Sequence, residues 1–159
     1  MKTILRHAFF AIAAFATATF VWAQSSEAVG VGTWKLNVEK SKFSPGPAPK
    51  SITTKFEPDG KGVKWKVERT AADGQVTVSE FTAQYDGKDY PLKGSTTVDA
   101  VSMRRVDPLT TERVNKKDGK VVSTEIRKVA KDGKSYTTTV KGMTAKGEPI
   151  DTVMVFDKI

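Results

Sequence analysis

The side chains that most often carry chemistry in small proteins are scarce in this chain of 159 residues. It has no Cys, and its one His, His7, lies in an N-terminal segment that we expect to be removed. The remaining chain then has no imidazole base, no thiol nucleophile, no disulfide and no zinc site built on Cys or His. Its Ser and Thr hydroxyls lack an imidazole to activate them. We therefore expect a protein that is not an enzyme and that uses no metal and no cofactor.

Two adjacent arginines are the strongest candidates for binding chemistry. Arg104 and Arg105 follow Met103 on a predicted strand, and alternation along the strand turns one guanidinium inward. A buried guanidinium needs a partner, either an anionic ligand or an internal carboxylate. The candidate internal carboxylates are Glu80, Glu112 and Glu125. An internal ion pair, or a strand end that lets both arginines reach water, is the alternative to a ligand.

Aromatic and apolar side chains indicate where such a ligand would lie. Small barrels either fill their interior with side chains or leave room for one small ligand. A cavity of at least about 300 Å³ would favour binding, and a packed core would favour a function of the outer surface. The candidate ligand-binding residues are Phe56, Trp65, Tyr85, Arg105, Tyr136 and Met154.

Turn signals divide most of the chain into short segments. Asp-Gly favours the tight turns of β-hairpins, and each pair lies between segments rich in Val, Thr or aromatic residues. The five pairs are Asp59-Gly60, Asp73-Gly74, Asp86-Gly87, Asp118-Gly119 and Asp132-Gly133. Asp107-Pro108 and Lys146-Gly147 supply two more turns. This pattern predicts an antiparallel meander.

The segments between these turns read as ten strands. They are residues 33–37, 51–56, 63–70, 75–85, 89–92, 100–106, 110–116, 121–129, 135–141 and 150–157. Val63, Trp65 and Val67 alternate with charged residues, as in a strand with one buried face. In the fourth strand the apolar face changes between Val78 and Phe81, which predicts a bulge or a bend where the strand passes a barrel corner.

No segment has a helical stripe, so the predicted fold class is all-β. Ten strands in a flat sheet would leave two long edges, and pairing the last strand with the first closes them into a barrel. A sandwich is the alternative, but its crossings need long connections, and only residues 38–50 offer one.

Residues 1–23 have the pattern of a secretory signal peptide. Lys2 and Arg6 precede an apolar run from Ala8 to Ala23, and polar residues follow from Gln24. The alternative, a membrane anchor, needs about 20 apolar residues. We expect cleavage after Ala23, a flexible segment 24–31 and a barrel domain 32–159, in a periplasmic or secreted protein without a transmembrane segment.

The positive charge gives little evidence of a charged partner. Loss of Lys2 and Arg6 lowers the net charge from +8 to +6. Most basic residues alternate with apolar ones or lie in turns, as on a solvated face. We expect no nucleic-acid binding, and only weak, salt-sensitive contact with an anionic envelope surface.

The start of the predicted barrel is similar to a known group of proteins. Gly32-Thr33-Trp34-Lys35-Leu36 resembles the Gly-x-Trp opening of lipocalins and fatty-acid-binding proteins, the calycin group. The wider run to Gly46 resembles small exported bacterial proteins of lipocalin-like type. The resemblance implies one up-and-down barrel of about eight to ten strands. It also implies that Trp34 fills the closed end against a basic residue of the last strand, here Lys158.

The sequence departs from both families. The Thr-Asp-Tyr turn and the disulfide of lipocalins are absent. Pro45, Pro47 and Pro49 exclude the two-helix lid of fatty-acid-binding proteins, and the last strand lacks their Arg-x-Tyr clamp.

The favoured function is therefore binding of a small apolar or amphipathic molecule in an exported barrel. The alternative is an envelope interaction or inhibitor module with a filled barrel, acting through its surface and the Pro-rich loop 43–49. The oligomeric state is left open by the sequence.

Overall fold

The computed structural model describes residues 29–159, and ten β-strands contain most of them. In chain order they are β1 (Gly32–Lys42), β2 (Ser51–Asp59), β3 (Gly62–Thr70), β4 (Val76–Gln84), β5 (Asp86–Pro91), β6 (Ala100–Asp107), β7 (Thr110–Lys117), β8 (Lys120–Val129), β9 (Ser135–Met143) and β10 (Pro149–Lys158). The predicted signal peptide 1–23 and residues 24–28 lie outside the described residues. Within the described range, no helix is long and apolar enough to cross a membrane.

All ten strands form one antiparallel sheet in the order β4-β3-β2-β1-β10-β9-β8-β7-β6-β5. The first and last strands pair as predicted, with Trp34 opposite Lys158 and Leu36 opposite Phe156. The sheet curls into a nearly closed up-and-down barrel, so the predicted all-β fold is confirmed. Its two free edges, β4 and β5, meet along a boundary that we call the seam.

The hairpin predicted at Asp86-Gly87 is absent, and the seam lies there instead. Asp86 and Gly87 form no turn between paired strands but lie within β5, whose register shifts between Asp86 and Asp89 as in a β-bulge. Only Tyr85 separates β4 from β5, too short a link for a two-residue hairpin loop. Along the seam of the described barrel, a single bridge joins Glu80 and Lys93, with backbone N–H···O distances of 3.1 and 2.9 Å.

Of the bulge or bend predicted in the fourth strand, the bulge is absent. β3 and β4 pair without a shift from Gly62–Gln84 to Thr70–Val76. Phe81 and Ala83 are buried, whereas Val76 and Val78 are 57% and 42% exposed on the outer face. The apolar face changes because two valines simply point to solvent beside the seam.

The other predicted turns are in place. Asp118 and Gly119 have φ angles of 50° and 74°, both positive as a type I′ turn requires, and they join β7 to β8. The turns at Asp107-Pro108 and Lys146-Gly147 lie between β6 and β7 and between β9 and β10.

Trp34 fills the end of the barrel where β1 begins. Its side chain is fully buried, its Nε1 donates to the Gly30 carbonyl at 2.9 Å, and the Lys158 Nζ lies 5.3 Å from its ring centroid. Val29, in the segment predicted to be flexible, is buried in the core. The packed unit of the described chain therefore includes Val29 and Gly30.

The Pro-rich segment 43–49 runs along the opposite end. The Ser44 amide donates to Thr152 Oγ1 at 3.1 Å, and the Ser44 carbonyl accepts from Thr152 Oγ1 at 3.0 Å and from the Asp151 amide at 2.9 Å. Phe43 packs against the core and Pro49 is buried. These contacts attach the segment to β10.

Trp34→Ala should lower the free energy of unfolding by about 3–5 kcal/mol, because it removes a large buried side chain. Chemical denaturation of the mature protein measures this loss. Val121→Ala, an exposed change on β8, is the control and should cost at most about 0.5 kcal/mol. Equal stability of the two variants would show that Trp34 does not support the barrel.

Gly94→Ala should open the seam. Gly94 has φ +78°, its carbonyl accepts from Ser79 Oγ at 3.0 Å, and an added Cβ would lie 1.9 Å from the Val78 carbonyl oxygen. We expect amide exchange at Glu80 and Lys93 to become at least about tenfold faster.

Gly147→Ala is the matched control, because Gly147 has φ +82° but no atom within 4 Å of the added Cβ. Equal exchange at Glu80 and Lys93 in the two variants would contradict the role of Gly94 at the seam.

Candidate functional site

A cavity of about 110 Å³ lies inside the barrel and is partly open to solvent. Its apolar lining consists of Ile52, Phe56, Trp65, Val67, Phe81, Met103, Met154 and Phe156. Its polar lining consists of Thr54, Thr111, Arg113, Glu125, Arg127, Tyr136 and Thr138. The polar residues concentrate on β7, β8 and β9, so one wall is apolar and the other can form hydrogen bonds.

β8 supplies two of the three charged residues of the cavity, Glu125 and Arg127, because its polar face points into the barrel. The inward face of β8 consists of Ser123, Glu125, Arg127 and Val129. Ile126 lies on the outer face and is 38% exposed. The neighbouring strand places partners opposite them: Glu125 lies across from Arg113 and Arg127 across from Thr111. The register of β7 and β8 thus gathers two guanidiniums and one carboxylate.

Arg113 and Glu125 form an internal ion pair, with Arg113 Nη2 2.5 Å from Glu125 Oε1. The same carboxylate oxygen accepts from Asn115 Nδ2 at 2.9 Å. The Arg113 guanidinium also lies 4.6 Å from the Trp65 ring centroid, a cation–π contact. Glu125 therefore balances the charge of Arg113.

Arg127 has no such carboxylate among residues 29–159. Its side chain is 6% exposed, and its guanidinium carbon lies 3.9 Å from the Phe56 ring centroid. Its Nη2 donates to the Val29 carbonyl at 2.8 Å and its Nε to Thr111 Oγ1 at 3.3 Å. Burial lowers the pKa of Arg127 from its ordinary value, as expected for a desolvated cation.

Buried donors and acceptors without a partner mark this interior. Within the described part of the chain they are Tyr85 Oη, Arg113 Nε, Asn115 Oδ1 and Arg127 Nη1. Buried polar groups in native proteins almost always have hydrogen-bond partners, so each exception calls for an explanation. Arg127 differs from Arg113 in that it has no opposing carboxylate among residues 29–159. The Tyr85 hydroxyl is close enough to favour the charged form of Arg127, but burial has the larger effect on its pKa.

Tyr136 forms the floor of the cavity together with Arg127. Its hydroxyl is 2.8 Å from Thr54 Oγ1, and its ring stacks on Phe156 with a centroid distance of 4.6 Å. Burial raises the pKa of Tyr136 above its usual value, so the phenol stays neutral at physiological pH. The site offers a cation, hydroxyls and ring faces, which can hold an anionic or polar group beside an apolar one.

Four of the six predicted ligand-binding residues line the cavity: Phe56, Trp65, Tyr136 and Met154. Arg105 and Tyr85 do not; Arg105 is exposed, and its guanidinium carbon lies 5.2 Å from the Tyr85 ring centroid. Arg104 faces outward and pairs with Glu112 at 2.7 Å. The inward charge predicted for this arginine pair is instead supplied by Arg113 and Arg127. Ligand binding by the six residues stays a prediction.

Sequence reasoning missed Arg113 and Arg127, although it named Glu125 as an internal carboxylate. The signal was alternation counted backwards from Val129, which puts Arg127, Glu125 and Ser123 on one face. The apolar residues Val121 and Ile126 obscure this pattern in the sequence, because they resemble core residues although they are exposed in the structure. Among residues 29–159, no cluster of three or more metal-ligating side chains is present.

No protein-family model matches the sequence, and no curated protein matches it significantly. Solved structures do match the fold. The zebrafish ileal bile acid-binding protein, in a crystal structure complexed with cholic acid, superposes with a TM-score of 0.51 at 12% sequence identity. The match covers 81% of this chain and 98% of that chain. The barrel has the fold of a fatty-acid- or bile-acid-binding protein. At this identity the likeness concerns the fold alone.

Arg127→Met should leave the free energy of unfolding unchanged or raise it by up to about 2 kcal/mol, because it removes a buried cation that no carboxylate balances. Arg113→Met is the matched comparison. It should lower stability by about 2 kcal/mol or more, because it leaves Glu125 without its partner.

Denaturant unfolding of both variants makes the comparison. If Arg127→Met were as destabilising as Arg113→Met, Arg127 would be a structural residue.

Proposed function

We propose that this protein binds a small amphipathic molecule inside the barrel, with the anionic or acceptor group of the ligand at Arg127. The observation that carries the proposal is the buried Arg127 guanidinium on the cavity wall, which faces no carboxylate among the described residues. A bound carboxylate would accept from this donor and balance its charge. The fold supports a binding role, since the zebrafish protein with the similar fold was crystallised in complex with cholic acid.

The charges of the cavity wall favour an anion over a neutral ligand. Arg113 and Arg127 face one carboxylate, Glu125, which is already paired with Arg113. The described wall therefore carries one positive charge in excess. Charge-assisted hydrogen bonds in such a low-dielectric site are stronger than neutral ones.

The volume limits the size of the ligand. A cavity of about 110 Å³ is below the roughly 300–1,000 Å³ of pockets for drug-sized molecules. It is closer to the engineered cavity of about 150 Å³ that holds benzene. We infer a ligand with one ring or a short chain, since a steroid acid would require the displacement of lining side chains.

The same proposal includes export. The signal-peptide pattern of residues 1–23 supports a mature protein that begins at Gln24 and functions in the periplasm or outside the cell. The barrel domain 32–159 then follows a short N-terminal segment. This domain would act as a carrier or scavenger of its ligand, without catalysis.

The mature protein should bind 4-fluorobenzoate, a one-ring anion, more tightly than the neutral 4-fluorobenzyl alcohol. Arg127→Met should weaken 4-fluorobenzoate binding about 10- to 100-fold, because a charge-assisted hydrogen bond is lost. Titration followed by ¹⁹F NMR measures both affinities. Arg104→Met, on the outer face, is the control and should bind like the parent. If the protein bound neither 4-fluorobenzoate nor 4-fluorobenzyl alcohol, the proposal would be overturned.

A second function has one observation in its favour. The cavity is smaller than the size that we set for a binding barrel, which agrees with a mostly filled interior and a function of the outer surface. Native mass spectrometry of protein from an exporting host distinguishes the binding function from the surface function. A released small molecule would support the binding function, and a ligand-free mass together with failed probe binding would support an envelope interaction module. The protein mass also shows whether residues 1–23 are removed.

A further inference from the structure

Among residues 29–159, only one oxygen of the Glu125 carboxylate has hydrogen-bond partners. Glu125 Oε1 accepts from Arg113 Nη2 at 2.5 Å and from Asn115 Nδ2 at 2.9 Å. The other oxygen, Oε2, accepts from none of the described residues and keeps some exposed surface. The Glu125 side chain is 17% exposed and belongs to the lining of the cavity. Oε2 is therefore an acceptor that a molecule in the cavity can use.

This acceptor lies beside the proposed anion site. Glu125 and Arg127 are two residues apart on the inward face of β8, so their side chains leave the strand in the same direction. Their Cα atoms are about 6.7 Å apart at the usual rise of a strand. A benzene ring with substituents at its opposite ends bridges a separation of this size. One small ligand can thus contact both side chains.

The charges of the cavity wall decide which kind of donor suits Glu125. Its negative charge is balanced by Arg113, whereas Arg127 faces no carboxylate within the described chain. A ligand with one negative charge and a neutral donor would therefore balance the site. A zwitterion would add a cation and leave the charge of Arg127 in excess, which is costly in a poorly solvated interior. A hydroxyl group matches the site better than an ammonium group.

We propose that the ligand is a one-ring acid with a hydroxyl group opposite its acid group, which is the class of para-hydroxy aromatic acids. This inference rests on the proposed binding function. The acid group binds at Arg127, and the hydroxyl donates to Glu125 Oε2. The ring spans the distance between them and packs on the apolar wall of the cavity.

In this arrangement Glu125 is a specificity-determining residue. An acid without the hydroxyl would remove water from Oε2 and give it no donor in return, which costs affinity. Fluorine and a hydroxyl group are similar in size, but fluorine cannot donate. The two probes 4-hydroxybenzoate and 4-fluorobenzoate therefore differ mainly in the property that the proposal concerns. Without an acceptor in the cavity, burial of the hydroxyl would instead make 4-hydroxybenzoate the weaker ligand.

Isothermal titration calorimetry of the mature protein compares the two acids. 4-Hydroxybenzoate should bind at least about tenfold more tightly than 4-fluorobenzoate, because hydrogen bonds to charged groups are the stronger ones. Equal affinities, or tighter binding of 4-fluorobenzoate, would overturn this inference and leave the proposed binding function standing. If neither acid bound, the binding function would fail and the inference would fall with it.

The position of the hydroxyl group gives a second comparison that needs no variant. 3-Hydroxybenzoate carries the same two groups closer together, so its hydroxyl is misplaced for Glu125 Oε2 when its acid group lies at Arg127. It should bind at least about threefold more weakly than 4-hydroxybenzoate, because a hydrogen bond weakens steeply when its geometry is poor. Equal affinities of these two isomers would contradict a fixed acceptor at Glu125.

Glu125→Gln identifies the acceptor. The amide keeps one oxygen for Arg113 and Asn115, and it places an NH₂ group, which cannot accept, where Oε2 lies. The preference for 4-hydroxybenzoate over 4-fluorobenzoate should therefore be lost. The ratio of the two affinities is the readout, because the added positive charge of the variant acts on both acids alike. A preference that survived would overturn the role of Glu125 and favour the Thr138 hydroxyl as the acceptor.

Glu112→Gln is the matched control. Glu112 also forms an ion pair across two strands, with Arg104 at 2.7 Å, but on the outer face. This variant should keep the preference of the parent protein.

A double variant replaces Glu125→Gln if that protein fails to fold. Glu125→Gln with Arg113→Met removes both charges of the ion pair, so neither is left buried without its partner. The double variant should also lose the preference for 4-hydroxybenzoate. If the folded double variant kept it, Glu125 would not be the acceptor and the proposal would be overturned.

Discussion

A guanidinium held inside the barrel without a carboxylate partner is the constraint to which the rest of the interior adapts. Arg127 lies on the face of Phe56, donates to a hydroxyl and to the Val29 carbonyl, and keeps one buried donor unpartnered. Desolvation of a cation is costly, so the ring face, the hydroxyl and the carbonyl offset only part of it. The barrel keeps the charged group in place because strand pairing on both sides of β8 fixes the backbone from which it projects.

The contrast between the two internal arginines follows from register. Arg113 lies directly across from Glu125, so its charge is neutralised within the protein. Arg127 lies across from Thr111, which offers a hydroxyl but no charge. A shift of β8 by one residue against β7 would turn Glu125 and Arg127 to the outer face. The same pairing therefore provides a structural ion pair and, two residues further along β8, a buried cation that faces no carboxylate among the described residues.

The barrel combines this interior with a closure that is strong nearly everywhere. β1 pairs with β10, and the N-terminal residues Val29 and Gly30 pack against the end that Trp34 fills. The seam is the exception, because the chain passes directly from β4 into β5 and returns to β4 only at Lys93. Strand pairing around the described barrel is therefore continuous except at this one boundary.

The sequence by itself determined the strands and most of the turns, because these depend on local backbone preferences and on alternation along single strands. The contact of Trp34 with Lys158 was implied by the resemblance of the Gly-x-Trp opening to that of the calycins. It could not assign β8, whose exposed Val121 and Ile126 resemble a core face while Glu125 and Arg127 resemble a solvated one. It also misread Asp86-Gly87, since the same dipeptide suits a hairpin turn and a bulge. Only the tertiary structure decided these points. The face that a strand buries depends on which partners lie across from it, and Arg113, Asn115 and Thr111 on β7 provide the polar contacts that make the inward face of β8 the charged one.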